Sequence, residues 1–143
     1  MSKKSTVLVI LQLLAMVSLL IFNNPFSLGI GFALQIFGVI IGLWGILSIQ
    51  IGNFNIQPEV KSNSLITSGP YKWIRNPMYL SVILFYLPII VENFNLLNLL
   101  VFIILIVTLL MKMNSEEQFL EERFGTEYLQ YKSKTKRIIP FLF

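Results

Sequence analysis

Apolar positions fall into four blocks, 5–22, 28–51, 78–91 and 96–113, separated by polar or turn-forming residues. A bilayer core of roughly 30 Å needs about 20 helical residues, so each block is predicted as a transmembrane helix, with the third the shortest. At about 1.5 Å per residue the second block reaches about 36 Å and is the longest and clearest span. Its Gly31, Gly38, Gly42 and Gly45 include Gly38-x-x-x-Gly42, a spacing that lets a neighbouring backbone approach closely. The third block carries Pro88 near its end and is joined to the fourth by Glu92-Asn-Phe-Asn95, which predicts a helical hairpin. The first block follows Lys3 and Lys4, and no small-x-small cleavage signal comes after it. It is therefore read as a retained anchor rather than a signal peptide.

Two polar stretches remain, a loop over 52–77 and a tail over 114–143. In the loop, Pro58, Gly69-Pro70 and Asn76-Pro77 punctuate the chain and predict irregular backbone, with Asn76 as N-cap and Pro77 as first residue of the third helix. Irregular backbone at membrane depth is tolerated where it is buried in protein or lines a wet cavity, which a pocket would provide. In the tail, Ser115-Glu-Glu-Gln118 fits a capping box, and the fourth span running straight on fits equally well. Leu120, Phe124, Tyr128 and Tyr131 form an apolar stripe, with Glu116, Glu117, Glu121 and Glu122 mostly away from it. This predicts a cytoplasmic amphipathic helix broken at Gly125, followed by a basic, lipid-facing tail.

Composition sharpens this picture. With 55% apolar and 13% charged residues and a mean hydropathy of +0.75, the chain is predicted to be an all-α, polytopic integral membrane protein of one domain over 1–143. All eleven Lys and Arg fall in the N-terminal segment, in the loop, or at Lys112 and beyond, while the opposite side holds only Glu92. The positive-inside rule then puts both termini in the cytoplasm, for a protein of the cell's inner or plasma membrane. The +4 net charge points to topology and anionic lipid, not to nucleic acid. There is no Cys, His or Asp, which excludes disulfides, thiolate and imidazole metal sites, Ser-His-Asp and Cys-His dyads, and histidine bases. No metal site is expected. The glutamates held where the fourth span exits call for a cationic partner, either from the loop's Arg and Lys or from a positively charged ligand.

Tyr71, Trp73 and Tyr79 also fit an interfacial aromatic belt, with Lys72 and Arg75 as simple anchors. The full string weighs against that plainer account. Leu65 to Tyr79 (LITSGPYKWIRNPMY), Glu116 to Leu120 (EEQFL), Phe124 to Tyr131 (FGTEYLQY) and Ile139-Pro-Phe141 together resemble the isoprenylcysteine carboxyl methyltransferase family. These are integral membrane enzymes using S-adenosylmethionine and related to the phospholipid methyltransferases; the likeness covers roughly the C-terminal two-thirds.

The resemblance implies a cofactor pocket built from Gln57, Asn63, Ser64, Leu65, Ile66, Tyr71, Asn76, Pro77, Met78, Tyr79 and Glu116. Lys112 falls where the family has a substrate-side arginine, and Tyr79 and Lys112 are the expected catalytic pair. The chain departs from the family at Asn76, where histidine is usual, and at Ser81, where glycine is. Asn keeps a donor and an acceptor but does not titrate. The implied acceptor is lipophilic, most simply a carboxylate as in a prenylated cysteine, which is already ionised at neutral pH and needs no base. A phospholipid amine or a thiol would need one, for which Tyr79 and Glu117 are the candidates. Two other classes fit the length: a multidrug transporter, which wants an ionisable group in mid-span that none of the four blocks has, and a membrane adaptor, for which the loop would be replaceable. The oligomeric state is not legible.

Overall fold

The computed structural model describes residues 3–49 and 65–139. Its helices are α1 (Lys3–Ile21), α2 (Ile30–Ser48), α3 (Pro77–Glu92), α4 (Leu96–Phe124) and α5 (Thr126–Lys134), with a 3-10 turn at Gly69–Lys72 before α3. Among the described residues the regular elements are all helices, apart from one isolated bridge, as predicted. Three helices, α1, α2 and α4, are long and apolar enough to cross a membrane, and α3 is a shorter apolar one. At 16 residues, α3 reaches about 24 Å, less than the bilayer core.

One expectation is revised, and one left open is decided. The longest helix is α4, with 29 residues, while α2 has 19. The fourth apolar block runs straight into the acidic segment, and no capping box forms at Ser115. The Ser115 hydroxyl instead donates back to the Met111 carbonyl at 3.1 Å, as a serine inside a continuing helix does. The break comes at Gly125, whose φ of +50° suits glycine and starts α5 in a new direction.

The bundle is two antiparallel seams. Along the first, α1 lies against α4, with Gln12 meeting Lys112 at one end and Asn23 meeting Asn98 at the other. Along the second, α2 lies against α3. Most outward side chains of α1 and α2 are apolar and exposed, as lipid-facing positions should be. The core between the seams is formed by Ile89, Leu105, Leu109 and Met113, all fully buried, with Tyr86 and Leu19 beside them.

Polar residues tie the end away from the acidic segment. Gln35, buried in α2, accepts from the Ser27 amide at 2.9 Å and donates to the Pro25 and Phe85 carbonyls at 2.9 and 3.2 Å. Glu92 accepts from the Leu28 amide at 2.8 Å, and the Asn95 side chain caps α4 by accepting from the Asn98 amide at 2.8 Å. Each satisfies backbone groups for which lipid has no substitute.

The α2–α3 seam owes its closeness to glycine. A Cβ on Gly38 would stand 3.0 Å from both the Leu84 Cβ and the Ser81 carbonyl oxygen, and one on Gly42 would stand 3.1 Å from the Ser81 Cβ. At Gly38 one of the two obstacles is backbone, so relief requires the helices to part. Gly38→Ala is therefore expected to cost about 1–3 kcal/mol. Unfolding by titrated SDS in mixed micelles measures it, with lipid-facing Val39→Ala as the neutral control; equal midpoints for the two variants would refute the close-packing account.

Candidate functional site

The site lies where the 3-10 turn, the start of α3 and the end of α4's apolar part converge. The turn is pressed onto α2: Gly69 has φ +58°, and a Cβ there would stand 3.0 Å from the Ser48 Cβ. Only glycine meets both demands. Trp73 closes the same corner edge-on to Trp44, with ring centroids 5.8 Å apart.

From there the chain runs beside the tail. Ile74 and Lys136 form a parallel bridge; the Arg75 amide donates to the Lys136 carbonyl at 2.8 Å and the Lys136 amide to the Trp73 carbonyl at 3.1 Å. Tyr131 donates its hydroxyl to the Tyr71 carbonyl at 2.7 Å. Burial, more than any neighbouring charge, pushes the Tyr131 phenol above its ordinary value, so it stays a donor. Burial and then the Glu116 carboxylate do the same to the Tyr71 phenol.

Two neighbouring glutamates have opposite fates. Glu117 accepts from Arg75 Nε and Arg137 Nε, both at 3.2 Å, and all three side chains are largely buried. Arg75 also donates to the Lys132 and Thr135 carbonyls at 3.2 and 2.6 Å, and Arg137 to the Asn114 side chain. The cationic partner expected from the loop is met at Glu117, and one expectation is corrected. Glu117 shares one oxygen between two guanidinium groups and is engaged as a clamp. The tail is not simply lipid-facing, since Thr135 and Ile138 are buried and Arg137 turns inward.

Glu116, half-buried, instead accepts from the Tyr79 hydroxyl at 2.5 Å. Lys112, one turn earlier on α4, is 2% exposed. Its ammonium donates to Gln12 Oε1 at 2.7 Å and lies 5.5 Å from the centre of the Tyr79 ring, within cation–π range.

Of the residues expected from the sequence, Tyr71, Tyr79, Lys112 and Glu116 form one electrostatically connected group. Leu65 and Ile66 are half-buried on the approach to the turn, Pro77 is the buried first residue of α3, and Met78 packs on Gly45. Asn76 is at the N-cap position, but its side chain makes no cap bond. Its amide group donates to the Arg137 carbonyl at 3.0 Å, which leaves its carbonyl oxygen for another donor. Gln57, Asn63 and Ser64 lie outside the described residues. Sequence reasoning missed Arg137, Asn114 and Gln12. For Arg137 there was a signal: two arginines, 75 and 137, and a surplus of glutamate where α4 ends.

No curated protein matches the chain. The family model for phospholipid methyltransferase matches residues 26–127, which take in α2, the turn, α3 and α4. This is the group to which the isoprenylcysteine carboxyl methyltransferase resemblance also leads. With apolar helices fit to cross a bilayer and most of its length matched, the chain belongs to the phospholipid methyltransferase family of membrane methyltransferases.

Proposed function

We propose that the protein is an S-adenosylmethionine-dependent methyltransferase acting on a lipophilic acceptor, a carboxylate being the acceptor most simply served. Family membership supports this reading over the transporter and adaptor ones. The observation that carries the proposal is Glu116: a half-buried carboxylate held by a neutral phenol at 2.5 Å, while the ion pairs formed among the described residues go to Glu117 and Glu121. A carboxylate so placed suits a cationic ligand. The free carbonyl oxygen of Asn76 and the Tyr71 side chain add polar contacts on the loop side, so the residues present fit such a cofactor.

When bound, the cofactor supplies a methyl group on a sulfonium for in-line displacement. The chain's part is to bind, align and exclude water. Glu116 would complement the cofactor's positive charge, with Tyr79 fixing the Glu116 rotamer, and the Lys112 ammonium would complement an anionic head group of the acceptor. For a carboxylate acceptor no proton moves. An amine or thiol would have to pass its proton toward the Tyr79–Glu116 pair, because Glu117 is engaged with two arginines. The positive-inside distribution supports a cytoplasmic position for this end of the bundle, the side from which a polar cofactor would arrive, with the acceptor entering between helices from the leaflet.

Calorimetry of the purified protein in lipid nanodiscs with S-adenosylmethionine and S-adenosylhomocysteine tests the reading. Saturable binding of both is the expected result. A folded sample that binds neither overturns it.

A further inference from the structure

We propose that the groove between α1 and α4 binds one anionic phospholipid of the cytoplasmic leaflet, its acyl chains along the groove and its phosphate at Lys3 and Lys4. The groove has a volume of about 500 Å³. Val7 and Leu11 of α1 and Ile104, Val107 and Met111 of α4 form its exposed walls, over a floor of buried Leu8 and Thr108. At about 1.5 Å per residue the α4 wall, from Ile103 to Met111, runs about 12 Å. That is close to the apolar depth of a single leaflet, about 15 Å.

Charge selects the occupant. The groove is apolar except for Thr108, Lys3 and Lys4. The Thr108 hydroxyl donates to the Ile104 carbonyl of its own helix at 2.8 Å, so its donor is spent and the floor suits hydrocarbon. Lys3 and Lys4 are exposed in the first turn of α1, and no ion pair among the described residues engages them. An apolar groove ending at two ammonium groups is complementary to an anionic amphiphile. The positive-inside reading sets those lysines at the cytoplasmic surface, where anionic head groups concentrate. The occupant is distinct from the methyl acceptor, because Tyr71, Tyr79, Lys112 and Glu116 line no part of the groove. Lys112, next to Met111 on α4, is buried toward Gln12 and Tyr79 instead. With its chains against both walls, the lipid joins α1 to α4 along the first seam. Two lysines at a membrane surface support about a thirtyfold preference for an anionic over a zwitterionic lipid.

The test uses the full chain in mixed micelles with a trace of phosphatidylglycerol that carries a photoreactive diazirine in one acyl chain, and peptide mass spectrometry reads the labelled positions. Labelling is expected at Leu11, Ile104 and Val107. Unlabelled phosphatidylglycerol should suppress it at about one-thirtieth of the concentration that phosphatidylcholine requires. The double variant Lys3→Gln with Lys4→Gln, changed only at exposed positions, should make the two competitors equal. Val107→Trp, which fills the groove from an exposed wall, should abolish labelling at Leu11 and Ile104 while leaving that of Ile40, on the outward face of α2, unchanged. Equal competition by the two lipids on wild type, or Ile40 labelled and competed just as Ile104 is, would show only ordinary boundary lipid and overturn the proposal. Displacement by N-acetyl-S-farnesylcysteine at lower concentration than by phosphatidylglycerol would assign the groove to the acceptor and overturn it equally. None of these outcomes depends on whether the protein transfers methyl groups, so the methyltransferase reading stands or falls separately on cofactor binding.

Discussion

Glu116→Gln is expected to weaken S-adenosylmethionine binding by about 1.5–3 kcal/mol, roughly 10- to 150-fold, the range for a hydrogen bond to a charged group. The substitution is nearly isosteric, and the new side chain still accepts from the Tyr79 hydroxyl, now 2.5 Å from the carboxylate. What changes is the charge. A loss in affinity then reports an electrostatic contact with the cofactor rather than a collapse of the site, and an unchanged melting profile would confirm that separation. Comparing two ligands locates the contact. S-adenosylhomocysteine keeps the ammonium but lacks the sulfonium, so a penalty confined to S-adenosylmethionine places Glu116 beside the sulfonium, and an equal penalty for both places it beside the ammonium. Unaltered affinity for both removes Glu116 from the site, and the aromatic-belt account of Tyr71 and Tyr79 regains its force.

How far the sequence disclosed this arrangement differs from element to element, for physical reasons. The apolar blocks located α1 to α4 because lipid imposes a length and polarity rule that few alternatives satisfy. The Gly38 spacing disclosed a close seam because a missing side chain has few other uses on an apolar helix face. The group of Tyr71, Tyr79, Lys112 and Glu116 came from the resemblance; no periodicity places α3 beside α4 at that register. The course of α4 past Met113 was open because Ser115 has equal use as a cap and as a serine bonding back to the preceding turn. Gln12 stayed hidden in an apolar block, since one amide in a long span reads as tolerated rather than placed. The tail misled most. Lys132, Lys134, Lys136 and Arg137 look like one basic run, yet Lys136 bridges to the loop through its backbone and only Arg137 folds onto Glu117. Charge counting treats the four alike, whereas the fold separates them by direction.

That separation carries the largest stability effect expected here. Glu117→Ala should cost about 3–5 kcal/mol, because it leaves the guanidinium groups of Arg75 and Arg137 close together without their shared counter-charge. The three side chains are only 11%, 18% and 12% exposed for Arg75, Arg137 and Glu117, so solvent screens little of the repulsion. The exposed pair nearby is the control: Glu121 meets Lys132 at 3.3 Å with exposures of 45% and 38%, and Glu121→Ala should cost no more than about 1 kcal/mol. SDS unfolding midpoints compare the two. Because Asn76 donates to the Arg137 carbonyl, the lost clamp should also loosen the start of α3 and lower cofactor affinity, an effect Glu121→Ala should not share. If charge is the cause, Glu117→Met combined with Arg137→Leu should recover part of the stability by replacing ions with apolar contact. A Glu117→Ala penalty no larger than that of Glu121→Ala would mean that the tail is held by the buried Tyr128 and Ile138 and by the bridge to Ile74, with the arginines incidental.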